Sequence, residues 1–328
     1  MAILVDQPRW PAHGTVWAHL VSDRSLEELH RFARANGLPP RSFDLDHYDV
    51  PAERLESLVA AGAELVPGRE LVARLRASGL RVRASDRLQE KHRRLTADLA
   101  LRWAALAART PAGRMGPDRD RRDVREVRAA APASTEWVDA GAELLRRWDE
   151  PHRHYHDLTH LDDVLQHLDV LRADGEAVPV TAELAAWFHD AVYDLVPGAD
   201  EQRSAELARE RLSDLGAGPA TVAEVERLVM LTASHAPARG DAAGAALCDA
   251  DLAILASSPR RYARYSAAVR AEYAGVPDED FRRGRSAVLG GLLAHEHIFA
   301  TASGRARWET PARENLRREL ALLDRPHD

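Results

Sequence analysis

The first 86 residues alternate short apolar runs with segments of helical period. The apolar runs predict buried strands over residues 3–5, 17–21 and 80–82. The periodic segments end at glycine or at Asn-Gly, and they predict helices over residues 25–35, 52–61 and 68–78. Because strands alternate with helices, the pattern predicts a small α/β domain with parallel strand pairing over residues 1–86.

The pattern changes twice along the rest of the chain. Residues 87–128 hold twelve basic and six acidic residues, which predict one amphipathic helix over 89–109 and then a solvated linker to residue 133. From residue 134 to residue 328 nearly every segment has helical period. The predicted helices include 158–172, 182–193, 250–256 and 311–323.

The predicted fold class is therefore α+β with two domains. A small N-terminal α/β domain (1–86) is followed by a basic helix and linker (87–133) and by an all-α helical bundle (134–328) of eight or nine helices.

Composition narrows the class of protein. The chain has 328 residues, of which 45% are hydrophobic and 30% charged, and its formal charge is −7. The negative charge argues against a constitutive nucleic-acid coat. The single cysteine excludes an internal disulfide and fits a reducing compartment. Since the N-terminus lacks a signal-peptide pattern and no apolar run approaches the roughly 20 residues of a membrane span, we expect a cytoplasmic protein without a membrane partner.

Candidate metal ligands occur at three places in the helical half. Four histidines lie within the nine residues 152–160, His189-Asp190 follows, and Asp249 and Asp251 come later. Imidazole and carboxylate donors suit a hard or borderline divalent cation. Each donor alone has an ordinary alternative, such as N-capping by an aspartate at the start of the helix over 250–256. Together they predict a metal site.

The predicted helices constrain how these donors can meet. His156 and His160 share one helix face if that helix begins by residue 155. His189 and Asp190 end an apolar helical stretch. Adjacent helical residues differ by about 100°, so both can reach one ion only near a helix end or a groove.

These residues carry a resemblance to a known superfamily. Segments 148–156, 188–193, 201–205 and 249–252 resemble the HD superfamily of metal-dependent phosphohydrolases, and in particular a bacterial group of predicted HD phosphohydrolases. The resemblance covers about residues 134–322 and implies a helical bundle in which His160, His189, Asp190 and Asp251 bind the metal. The family setting of the last ligand favours Asp251 over Asp249.

His156 resembles the first histidine of the Tyr-His-x-x-x-His arrangement in cyclic-nucleotide phosphodiesterase relatives. That resemblance implies a general acid that protonates the leaving oxygen, a role suited to imidazole. The alternative is that His156 only orients the helix that carries His160.

Three further residues are candidates for the reaction or for the substrate. Glu201 is predicted to position the attacking water, although Glu201 and Asp194 could instead bind a second metal or cap the following helix. His235 resembles an extra histidine that some HD enzymes use for a second metal or for phosphate. Arg285 offers a guanidinium for phosphate, with a solvated surface arginine as the alternative.

The N-terminal domain has its own cluster of ionisable residues at predicted strand ends. Asp6, His13, His47 and Asp49 are candidates for a second, metal-dependent site, because open α/β sheets place their sites at strand ends. Capping and loop-fixing roles are the alternative. This part of the chain resembles a bacterial domain of unknown function.

The HD resemblance implies a metal-dependent phosphohydrolase acting on a nucleotide or another small phosphorylated metabolite. Its cofactor would be one or two divalent ions, Mn²⁺, Mg²⁺, Fe²⁺ or similar, that lower the pKa of bound water. The alternatives are a di-iron HD-type oxygenase, a non-catalytic nucleotide sensor, and a nucleic-acid end-processing protein that uses the basic linker. A nucleic-acid partner is not favoured, and the oligomeric state is not predicted.

Overall fold

The computed structural model describes residues 2–12, 14–39, 42–110, 133–196 and 198–324. The chain forms a small N-terminal sheet region followed by a helical region. Contacts divide it into two compact units, residues 1–94 and residues 95–328, and the boundary falls inside one long helix. The predicted linker lies almost entirely outside the described residues. The division at residues 86 and 133 stays a prediction.

Short strands of the N-terminal unit form one sheet. In the described part of the chain they are β1 (Ile3–Val5), β2 (Trp10–Ala12), β3 (Thr15–Ser22), β4 (Phe43–Asp44), β5 (His47–Pro51) and β6 (Glu64–Leu65). Their order across the sheet is β4-β5-β3-β1-β6, and β2 pairs with β3. The β1–β6 pairing is parallel, but the other pairings are antiparallel, so the prediction of parallel pairing is wrong for most of the sheet.

Tight connections explain two of the antiparallel pairings, those of β2 with β3 and of β4 with β5. The turn between β2 and β3 includes Gly14, whose φ of +79° suits glycine. The two residues Leu45 and Asp46 join β4 to β5. Such short connections join antiparallel strands, since a parallel pair needs a crossover of a dozen or more residues. Residues 80–82, predicted as a strand, form an irregular segment.

The helices predicted for the N-terminal unit are confirmed. They are α1 (Leu26–Ala35), α2 (Leu55–Ala60), which follows a 3-10 turn, and α3 (Gly68–Ala77). Ser25 caps α1, because its hydroxyl accepts the Glu28 N–H at 3.1 Å. Apolar side chains of the sheet and helices form two buried clusters, one around Leu20 and one around Leu71.

The rest of the described chain is helical. Its helices are α4 (Arg87–Ala107), which contains the boundary between the units, α5 (Thr135–Trp148), α6 (Leu158–Ala173), α7 (Val180–Phe188), α8 (Ala199–Asp214), α9 (Pro219–Leu231), α10 (Ala242–Leu252), α11 (Pro259–Glu272), α12 (Asp278–Ala294) and α13 (Ala302–Leu323). None of the helices in the described ranges is long and apolar enough to cross a membrane.

Three of these helices differ from their predicted bounds. α7 ends at Phe188 rather than at residue 193, α10 begins before residue 250, and α13 begins before residue 311. Asp241 fixes the start of α10 by accepting the Gly244 N–H at 2.9 Å. Thr301 caps α13 in the same way, and Pro311, read as a helix start, lies inside α13.

Two buried clusters hold the helical unit together: a smaller one joins α11, α12 and α13, and a larger core joins α4 to the helices up to α10. Trp103 on α4 stacks on Trp137 of α5 with ring centroids 4.9 Å apart. Each indole N–H donates to the backbone carbonyl of the other tryptophan, at 2.7 and 2.9 Å. The Trp148 indole N–H donates to the Trp187 carbonyl at 2.9 Å. Since Leu99 and Trp103 belong to this core, the end of α4 packs with helices that follow residue 134.

Candidate functional site

His160 lies in the first turn of α6 and is buried. The Asp157 carboxylate caps this helix by accepting the backbone N–H groups of Thr159 and His160, at 2.8 and 3.2 Å. The helix therefore begins at Leu158, not by residue 155, and His156 lies before it. The cap fixes the position of His160 at the start of the helix.

His189 and Asp190 follow the end of α7, and a helix end is one of the two places where adjacent residues could reach one ion. The His189 Nδ1–H donates to the Ala186 carbonyl at 2.9 Å. A carbonyl can only accept, so this bond leaves Nε2 with a free lone pair when the ring is neutral. The Asp190 Oδ2 lies 3.3 Å from that Nε2.

Asp251 brings the second carboxylate from α10. Its position near the C-terminal end of α10 corrects the expectation that it opens a helix. Its Oδ1 is 3.1 Å from Nε2 of His160 and 3.7 Å from Nε2 of His189. Asp249 faces elsewhere, because its carboxylate accepts the Ala300 N–H and both the N–H and the hydroxyl of Thr301. The structure thus brings Asp251, not Asp249, to the histidines.

We call His160, His189, Asp190 and Asp251 the quartet. The Nε2 atoms of the two histidines are 3.2 Å apart, and Asp190 Oδ2 lies 3.8 Å from Nε2 of His160. One donor atom from each of His160, His189 and Asp251 lies within 4.8 Å of the others. Asp190 is a fourth donor near both histidines, and two imidazoles with two carboxylates suit a divalent cation.

Electrostatics at the quartet favour a cation. Burial disfavours the charged form of His189, but the carboxylates of Asp190 and Asp251 outweigh it and raise its pKa to about 9. Burial likewise opposes ionisation of Asp251, yet His189, His160 and His235 hold its pKa well below the ordinary value. A proton on His189 can balance part of this negative charge, and a divalent cation could replace that proton.

His235 contacts the quartet from the turn after α9. Its Nε2 lies 2.7 Å from Asp251 Oδ2. The backbone of His235 has a φ of +50°, which is uncommon for a residue other than glycine. His235 is therefore placed to orient Asp251 or to serve as a fifth donor.

His156 pairs with Glu272, a residue that the sequence analysis did not single out. The His156 Nδ1 lies 2.8 Å from Glu272 Oε2, and the Tyr193 hydroxyl donates to the same oxygen at 3.0 Å. The other carboxylate oxygen accepts the backbone N–H groups of His154, Tyr155 and His156. Burial opposes the charge of both partners, but their mutual hydrogen bond raises the pKa of His156 and lowers that of Glu272 to about 2.

Arg153 was also missed, although it lies inside the histidine run. Its side chain is fully buried, and its guanidinium donates to the carbonyls of His156, Asp190 and Ala191. These bonds tie the segment before α6 to the turn that carries Asp190. The position of Arg153 among closely spaced histidines could have marked it as a candidate. The backbone carbonyls of Asp190 and Ala191 that accept from it could not be recognised from the sequence.

Glu201, Asp194 and Arg285 have partners outside the quartet. The Glu201 carboxylate accepts the Gly198 N–H at 2.9 Å, the capping alternative considered for it. Asp194 is exposed and pairs with Arg203 at 2.7 Å. The Arg285 guanidinium is buried and makes two hydrogen bonds to Glu319, at 3.0 and 3.1 Å. Roles for Glu201 in water activation and for Arg285 in phosphate binding stay predictions.

The N-terminal unit brings three of its four candidates together. Asp6, His47 and Asp49 lie around His19, whose ring centroid is 4.9 Å from that of His47. His13 falls outside the described residues. His19 was not among the predicted candidates, because the strand pairing that sets it opposite Asp49 was not predicted from the sequence.

Comparison with known proteins identifies only the N-terminal part. No curated protein and no solved structure matches the chain. The resemblance of the helical unit to the HD superfamily therefore stays a prediction. Residues 3–78 match a family described as a protein of unknown function, DUF4031, which confirms the expected domain of unknown function.

Proposed function

We propose that the helical unit is an HD-type metal-dependent phosphohydrolase acting on a nucleotide or another small phosphorylated metabolite. The observation that carries the proposal is the quartet. His160 from α6 and His189 after α7 lie side by side, and the carboxylates of Asp190 and Asp251 each lie close to both histidines. These are the residues that the HD resemblance implies as ligands.

The quartet would hold the cation, and its neighbours would fix the quartet. A bound divalent ion such as Mn²⁺, Mg²⁺ or Fe²⁺ would acidify water and screen phosphoryl oxygens. The Ala186 carbonyl holds the His189 ring in the tautomer that presents Nε2. His235 contacts the second oxygen of Asp251 and so limits the rotation of that carboxylate.

The His156–Glu272 pair supports a general-acid role for His156. A buried carboxylate that binds Nδ1 orients the imidazole and stabilises its protonated form, as in other carboxylate–histidine pairs. The proton available for the leaving oxygen would then be the one on Nε2. Since Glu272 touches the imidazole rather than the reacting atoms, it is a positioning residue.

A phosphate-release screen tests the proposal. The full chain would be assayed with nucleotides and sugar phosphates in the presence of Mn²⁺, Mg²⁺ or Fe²⁺, with metal content measured alongside. Asp190→Ala is expected to abolish both metal binding and phosphate release, because a ligand is needed before water can be activated. Asp214→Ala, at an exposed carboxylate, is the matched control and should keep both.

Other outcomes would contradict the proposal in distinguishable ways. Tight nucleotide binding without phosphate release, whichever metal ion is added, would favour the non-catalytic nucleotide sensor. Consumption of dioxygen with two irons per chain would favour the oxygenase, an alternative for which His235 supplies a further donor beside Asp251. Release of phosphate at equal rates by wild type and Asp190→Ala would exclude the quartet as the active site.

A further inference from the structure

The N-terminal sheet places a second set of metal-type donors on one face. His19 on β3 is directly opposite Asp49 on β5 in the register of the two strands. His47 precedes Asp49 by two residues on β5, so both side chains lie on the same face of the sheet. One donor atom from each of His19, His47 and Asp49 lies within 4.8 Å of the others. We call these three residues the sheet triad.

Each histidine of the sheet triad is oriented by a carboxylate on its Nδ1. Asp6 Oδ2 is 3.1 Å from Nδ1 of His19, while Asp6 Oδ1 accepts the His19 backbone N–H at 2.6 Å. Asp46 Oδ1 is 2.7 Å from Nδ1 of His47. A carboxylate accepts here, so both rings donate from Nδ1 and keep Nε2 for another partner. Carboxylate–histidine pairs of this kind are the usual support of metal-binding imidazoles.

The supporting carboxylates are themselves held in place. Asp46 is fully buried and accepts the Val82 N–H at 2.7 Å and the Arg81 guanidinium at 3.2 Å. Arg81 and Val82 belong to the irregular segment 80–82 that was predicted as a strand. This segment therefore holds the Asp46 carboxylate in place. Such fixed outer contacts reduce the reorganisation needed to bind an ion.

The negative charges around the sheet triad favour binding of a cation. With neutral imidazoles, the three carboxylates that contact them, those of Asp6, Asp46 and Asp49, carry negative charge, and the guanidinium of Arg81 pairs with Asp46. A divalent ion would offset this negative charge.

The sheet triad also opens onto space for a ligand. His19 and Asp49 line a cleft of about 620 Å³ together with Trp10, Trp17 and Arg54. The Asp49 side chain is 45% exposed, whereas that of His47 is 11% exposed. An ion held by three protein donors at the edge of a cleft keeps positions for water or substrate, as in catalytic rather than structural sites.

We propose that His19, His47 and Asp49 bind one divalent cation of borderline type, such as Zn²⁺, Fe²⁺, Mn²⁺ or Co²⁺. Two imidazoles and one carboxylate form the donor set shared by many zinc and non-haem iron sites with open positions. The N-terminal unit would thereby contribute a metal site of its own, in addition to the quartet of the helical unit.

Cobalt titration of the full chain tests the sheet triad. Co²⁺ is used because its visible absorption reports coordination by imidazole and carboxylate. The background variant is Asp190→Ala, which removes a donor of the quartet. We expect one Co²⁺ per chain in this background. Asp49→Asn or His19→Gln should weaken its binding by at least about 10-fold.

The matched control is Glu53→Gln, which alters an acidic residue of the same cleft outside the sheet triad and should leave Co²⁺ affinity unchanged. Circular dichroism checks that the variants keep the sheet, and Asp49→Asn carries the least folding risk because Asp49 is half-exposed. Equal Co²⁺ affinity in the background, Asp49→Asn and His19→Gln proteins, or binding of no Co²⁺ by the background, would overturn the proposal. Neither result depends on whether the quartet hydrolyses phosphate.

Discussion

His156 is held between a carboxylate and aromatic rings, and this gives its imidazole one defined orientation. Glu272 binds Nδ1, and the Tyr193 ring lies over the imidazole with centroids 4.4 Å apart. The quartet differs, because its two imidazoles present Nε2 to each other and to two carboxylates. In the proposed function His156 would therefore transfer a proton, whereas the quartet would bind the ion.

Replacing His156 by alanine should therefore affect turnover more than metal binding. We expect His156→Ala to lower kcat by roughly 10²–10⁴ while metal affinity stays within severalfold. The defect should shrink for p-nitrophenyl phosphates, because p-nitrophenolate departs without much protonation. Steady-state kinetics with good and poor leaving groups measure this, with His154→Ala, at an exposed histidine, as the control.

The outcome distinguishes three roles. Equal losses for good and poor leaving groups, with metal retained, would make His156 a residue that only positions its helix. Loss of metal from His156→Ala would make it a ligand and would favour two ions.

Glu272 should contribute to stability in a defined pH range. Its pKa is lowered from 4.5 to about 2 in the folded chain, so its contribution is present above pH 4.5 and is lost as the pH falls through 2. We expect wild type to lose on the order of 2 kcal/mol through this group over that range. Glu272→Gln should flatten the dependence, measured by urea unfolding at several pH values. Glu279→Gln, at an exposed residue, should keep the wild-type slope.

At the scale of elements, the contact of α4 with α5 depends on a glycine. A Cβ at Gly141 of α5 would lie 2.2 Å from Cδ1 of the Trp103 indole on α4. The reciprocal hydrogen bonds between Trp103 and Trp137 fix that indole, so it has little freedom to move away. The close approach of these helices therefore requires a residue without a side chain at this position.

Gly141→Ala should destabilise the helical unit by about 1–3 kcal/mol, the usual cost of overpacking a core. Gly290→Ala is the matched control, because Gly290 lies in helix α12 and a Cβ added there would meet open space. Alanine has the higher helix propensity, so this control should be neutral or stabilise by up to about 1 kcal/mol. Urea unfolding, monitored by tryptophan fluorescence, compares the two variants with wild type. Equal unfolding midpoints for Gly141→Ala and wild type would show that α4 can move away from α5.

Helices were easier to predict from this chain than strands. Caps such as Ser25 and glycine stops are local signals, and they gave α1 and α3 nearly to the residue. Strands β2, β4 and β6 have only two or three residues each, too few for a period to be visible. The start of α10 was missed because its first turns are rich in alanine and lack polar alternation.

At the scale of the whole molecule, the sequence indicated which residues could be ligands but not which groups support them. The four members of the quartet are those that the HD resemblance implies as ligands, and in the structure both carboxylates lie close to the two histidines. Glu272 lies 116 residues from His156, and nothing near either residue marks the pairing. The sheet triad depends on the antiparallel register of β3 and β5, which was not predicted. Partners set by long-range packing leave little trace in a single sequence.

The single cysteine of the chain lies beside the quartet in sequence. Cys248 is buried on α10, three residues before Asp251, and burial together with nearby carboxylates raises the pKa of its thiol. A thiol reagent can react with such a group only when the helix opens locally. The rate of alkylation in the native protein therefore reports how often the segment that carries Asp251 leaves its packed position.

Binding of Mn²⁺ to Asp251 should slow that alkylation. An ion that binds only the closed form stabilises it by mass action, so at 100 times Kd the rate should fall by roughly 100-fold. Asp251→Asn should alkylate at a rate that Mn²⁺ does not change, and an unchanged rate in wild type would show that the ion does not bind this helix. Alkylation of this one native thiol thus measures both the local opening of α10 and the binding of Mn²⁺ to Asp251.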